Sequence, residues 1–67
     1  MTKADWKKQA MIVGQHIADF WGAVCEDVEI DKKTGNIIVL MNECGDKFTS
    51  TLTPSEWSAH SKDCGVA

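Results

Sequence analysis

The chain has 67 residues, with ten acids against seven lysines and no arginine, giving a net charge of −3. A length like this supports one domain over residues 1–67. It buries only about 60% of the extended chain's surface, so dense packing, a metal, disulfides or a partner chain must help hold it. Arginine is the usual residue for bidentate phosphate and guanine contacts, so its absence argues against direct nucleic-acid binding and against anionic membranes.

Thr2 to Asp5 reads as a capping box opening a helix from Lys3 to Val24. At 100° per residue, Trp6, Ala10, Val13, Ile17, Phe20, Trp21 and Val24 fall in one apolar arc. Lys8, Gln9, Gln15, His16 and Asp19 lie opposite, and Ile12 is the apolar exception among them. Ala10, Gly14, Ala18 and Gly22 recur every four residues along one flank. Glycine inside a helix costs about 1 kcal/mol relative to alanine, so the stripe implies close approach of another backbone. Either the domain's own sheet or a second helix could supply it.

Asp27 to Asp31 alternates as a strand with Val28 and Ile30 inward. Lys32 to Asn36 forms a hairpin turn in which Gly35 suits the positive-φ position of a type I turn with a bulge. Ile37 to Met41 is apolar on both faces, as in a central strand. Asn42 to Asp46 is a second turn, and Lys47 to Leu52 a third strand with Phe48, Ser50 and Leu52 on one face. Thr53, Pro54 and Glu56 then start a short helix running to about Lys62, with Gly65 past its end. The expected fold is α+β, in the order α-β-β-β-α. A three-stranded antiparallel meander packs on the long N-terminal helix, and the short C-terminal helix thinly covers the other face.

Chemistry is sparse. No apolar run approaches the roughly 20 residues of a membrane span, and the N-terminal residues lack a secretory apolar segment. The three cysteines, Cys25, Cys44 and Cys64, are odd in number and fit free thiols in a reducing, cytoplasmic setting. With His60 they offer the atom types of a Cys₃His zinc site, and His60 and Cys64 would share a helix face. Their wide spacing lacks the close pairs of zinc modules, so the leading expectation is no metal and no cofactor. A zinc-stabilised structural domain built on these four is the alternative reading.

Acidic neighbours disfavour a reactive thiolate at Cys25 or Cys44. His16 with Asp19 and His60 with Asp63 read as solvated helix pairs, and Ser55, Ser58 and Ser61 belong to a polar helix. Gly35 and Gly45 stand singly, so there is no phosphate loop. A pocket of about 300 Å³ would also hollow out so small a core. No catalytic residue is expected, and the chain is not expected to be an enzyme.

The remaining features point to a surface. Glu26, Asp27, Glu29 and Asp31, joined by Glu43 and Asp46, suit a basic partner protein such as a nucleic-acid-handling one, with exposed Ile12 of the first helix as a further, apolar contact. Ala10, Gly14, Ala18 and Gly22, with Ile38 and Leu40 on the sheet, suit self-association as a homodimer. Lys3, Lys7 and Lys8 are too few for a nucleic-acid footprint. The expectation is a protein-binding inhibitor or regulator, of the genre of small phage- or mobile-element-encoded accessory proteins.

Overall fold

The computed structural model describes residues 3–65, so the cap expected at Thr2 lies outside the described residues. Its elements follow the expected order: α1 (Lys3–Asp19), β1 (Val24–Ile30), β2 (Ile37–Glu43), β3 (Asp46–Leu52) and α2 (Pro54–Asp63). The three strands pair antiparallel in the order β1-β2-β3, and α1 packs on the sheet.

The first helix is shorter than its apolar period suggests. Gly22 takes φ +67°, a left-handed conformation that glycine adopts without a Cβ clash. Around it the amide of Ala23 donates to Ala18 O at 3.0 Å, and that of Gly22 to Asp19 O at 3.3 Å. This is the Schellman arrangement, and the buried Ala18 and Ala23 occupy its two hydrophobic positions. The turn moves Phe20 and Trp21 out of the apolar arc: both are exposed, at 73% and 58%. Val24, expected to end the helix, instead begins β1, three residues before the expected strand start.

Ala10, Val13, Ile17 and Ala18 of α1 are buried with Cys25, Val28, Ile37, Val39, Met41 and Leu52 of the sheet. Gly14 sits where the two layers come closest. A Cβ built there would lie 2.6 Å from Cys25 Sγ and 2.9 Å from Val28 Cγ2. The small-residue flank therefore serves the domain's own sheet. Ala10, Gly14 and Ala18 are buried and Gly22 lies in the exposed turn, which removes this stripe from the surfaces open to a second copy.

Both hairpins are closed by local bonds. In the first, Gly35 (φ +76°) donates its amide to Asp31 O at 2.7 Å, and Asp31 N bonds Asn36 O at 2.8 Å. Four residues, Lys32 to Gly35, thus lie between the bonded Asp31 and Asn36, with Gly35 at the expected positive φ. In the second, both strands run further than expected and leave only Cys44 and Gly45 at the tip. Their φ values, 52° and 93°, are the pair of positive angles of a type I′ turn, whose twist matches that of the strands. Asn42 Oδ1 accepts from Gly45 N at 2.8 Å.

Helix α2 starts with the expected capping box. Glu56 N donates to Thr53 Oγ1 at 3.3 Å and Thr53 N to Glu56 Oε1 at 3.0 Å. With Thr53 the sole residue between β3 and α2, the chain has no length to cross to the far side of the sheet. α2 instead contacts α1 and β3, and half-buried Trp57 packs against the shared core. The expectation that α2 covers the second sheet face is therefore corrected: both helices lie on one side.

Two stability outcomes follow from this geometry. Gly14→Ala, which would gain about 1 kcal/mol in an open helix, should instead lose about 1–3 kcal/mol by overpacking against Cys25 and Val28. Chemical denaturation measures it, and Cys25→Ala in the same chain should recover part of the loss. Cys44→Asn, which places Asn-Gly in the type I′ turn, should gain about 0.5–1 kcal/mol. That would raise the thermal midpoint by roughly 4–8 °C per kcal/mol.

Candidate functional site

Strand alternation sorts β2 into two faces. Ile37, Val39 and Met41 are buried under the helices, while Ile38 and Leu40 point the other way and are half-buried. Register sets their neighbours on this open face: Glu29 lies opposite Ile38, Asp27 opposite Leu40 and Val24 opposite Asn42. Thr51 and Thr49 flank Ile38 and Leu40 from β3. Val24 is 61% exposed. A bulge between Cys25 and Asp27 adds Glu26, whose carboxylate comes within 4.0 Å of Lys47 Nζ on β3. The open face thus has an apolar centre of Val24, Ile38 and Leu40, with Glu26, Glu29 and Lys47 around it.

The expected acidic group does not gather whole. Asp27 Oδ1 bonds Lys7 Nζ at 2.8 Å and its own strand's Val28 N at 2.9 Å. Lys7 also donates to Val28 O, so the pair closes the outer edge of β1. The hydrogen bond from Lys7, with that from the Val28 amide, holds the Asp27 carboxyl below its ordinary range. Asp31 Oδ1 accepts from Lys33 N at 2.9 Å and serves the first hairpin. Glu43 and Asp46 pair across the second turn, at the opposite end of the sheet from Asp31. Ile12 is exposed on α1, where it shares a shallow surface with Asp5, Lys8 and Gln9 and not with the strand acids. Glu26 and Glu29 are the two acids left facing outward beside the apolar centre.

The expected zinc ligands are also separated. Cys25 is buried in the core, with its thiol toward Asp27 O at 3.6 Å, and burial pushes that thiol's pKa up. Cys44 is exposed at the tip of the second hairpin. Cys64 caps α2, and its pKa is raised by burial and by Asp63. His60 meets a different partner, His16 of α1. Their ring centroids are 5.6 Å apart, and Phe20 stands edge-on to both, at 5.4 Å from His16 and 6.2 Å from His60. His16 Nε2 and His60 Nδ1 are buried and lack hydrogen-bond partners, an arrangement that costs about 1–3 kcal/mol for each unsatisfied group.

Sequence patterning missed two things here. It placed Phe20 and Trp21 in the core, although Gly22 immediately after them is a helix-stop signal. In the structure they wall a groove of about 320 Å³ with Ile17, Leu52 and His60, and Trp21 packs edge-on against Phe48 at 6.2 Å. It also read His16 and His60 as separate solvated residues, and nothing local in the sequence signals their meeting. Among the described residues no helix is long and apolar enough to cross a membrane. Compared with known proteins, the chain matches no family model, no curated protein and no solved structure at a significant level.

Replacing Lys7 tests the β1 edge. The depressed Asp27 pKa contributes stability above the ordinary carboxylate value near 4, and that contribution fades as pH falls through the lower folded value. In Lys7→Met the Asp27 carboxyl should titrate nearer the ordinary range by carboxyl NMR. Stability at neutral pH should drop by about 0.2–1 kcal/mol, the exposed pair being screened by solvent.

Proposed function

We propose that this protein is a small acidic binding module that works by occupying a partner protein's surface, as an inhibitor or regulator, and that it is not an enzyme. The observation that carries this reading is the open sheet face. Both helices sit on the opposite side, leaving Val24, Ile38 and Leu40 in a field of Glu26, Glu29, Lys47, Thr49 and Thr51. An apolar centre within a polar, charged rim is the ordinary anatomy of a protein interface.

Charge selects the partner. With a net charge of −3 and Glu26 and Glu29 at the rim, the face favours a basic surface, such as the nucleic-acid groove of a protein that handles DNA or RNA. A second copy is a poorer occupant, because it would offer the same rim of two acids and one lysine in place of a basic surface. Free thiols at Cys25, Cys44 and Cys64 fit a cytoplasmic setting.

A photo-crosslinking side chain at position 38, with one at position 12 as control, tests the reading in the native host. Crosslinking to one discrete protein should occur from position 38 and not from position 12. Glu26→Lys with Glu29→Lys should weaken capture on the order of tenfold while leaving the circular dichroism unchanged. Capture from position 12 alone, or capture indifferent to the charge reversal, would refute it.

A further inference from the structure

The histidine pair carries an inference independent of the binding face. His16, His60 and Asp63 each offer one ligand atom, and these atoms lie within 4.8 Å of one another. We propose that the three residues form a site for one zinc-class divalent transition-metal ion that clips α2 to α1.

Three observations converge. First, the donors come from two helices: His16 from the last full turn of α1, and His60 with Asp63 from α2. A spacing of three sets His60 and Asp63 on one helix face. Second, His16 Nε2 and His60 Nδ1 are buried with no hydrogen-bond partner, and an imidazole nitrogen left in that position can be satisfied by coordinating a cation. Third, the donor set is selective. Two imidazoles and one carboxylate suit zinc and its neighbours in the transition series, whereas calcium and magnesium take oxygen ligands.

Zinc bonds of about 2.0–2.2 Å need the donor atoms closer together than the 4.8 Å within which they stand, and Asp63, exposed at the end of α2, has room to adjust. Three protein ligands leave the fourth tetrahedral position to water. Phe20 packs edge-on to both imidazoles and restricts their reorientation. Binding would link elements whose own contact is small, and a chain of this length benefits from such a staple because metal binding free energy becomes folding free energy.

Titrating the metal-free full chain with zinc chloride in a calorimeter should give one site per chain and a rise in thermal midpoint, with magnesium and calcium chlorides giving neither. Cobalt(II) should develop the visible absorption of a tetrahedral site. His16→Gln and Asp63→Asn should each weaken zinc binding at least about tenfold, whereas Cys44→Ser with Cys64→Ser should leave it unchanged. Asp63 is exposed, so its variant reports on the site even if His16→Gln fails to fold. Zinc-induced shifts of the His16 and His60 ring nitrogens by NMR provide a reading on the unaltered chain. Absence of saturable zinc binding, binding retained in both ligand variants, or binding lost with the cysteines would each overturn the proposal.

Discussion

The closeness of α1 to β1 at Gly14 sets the rest of the architecture. A hydrogen in place of a methyl group lets Cys25 and Val28 come up against the helix backbone, and α1 settles low enough for Val13 and Ile17 to share one buried cluster with Val39 of the central strand. Lifting the helix by the width of one side chain would loosen the whole apolar layer at once, because interiors are packed like molecular crystals and not like liquids. The same close seating brings Lys7 down to the edge of β1, where it meets Asp27 and Val28 O. At the other end it carries His16 to within ring contact of α2.

Much of this was legible in the sequence, and the parts that were share a cause. The capping box at Thr53–Glu56, the glycine in the first hairpin and the alternation of Phe48, Ser50 and Leu52 are specified by residues a few positions apart, so they survive into the fold with small changes of boundary. The end of α1 was misjudged because hydrophobic period and stop signal disagree there. Phe20, Trp21 and Val24 continue the period, Gly22 breaks it, and the backbone preference prevails because it satisfies the last carbonyls of the helix.

The functional surfaces were harder to read because they depend on register and on contact between distant elements. Four acids within six residues looked like a single patch, yet the bulge after Cys25, the Lys7 bond and the Asx turn at Asp31 give them separate tasks. The fate of Ile38 and Leu40 depended on which side α2 would take, and that was decided by the single residue linking it to β3. The meeting of His16 with His60 has no local signature, since residues 44 positions apart in the chain touch only once the meander has folded.

A three-stranded sheet has two outer strands, and each is a template on which another chain could add. Here the β1 border is sealed: Lys7 occupies a carbonyl that an incoming strand would need, and the adjacent bulge spoils the straight run of backbone groups. Open-ended fibril growth requires two receptive borders per subunit, one to accept and one to offer. This subunit has at most one, so strand addition along the sheet would terminate at a pair.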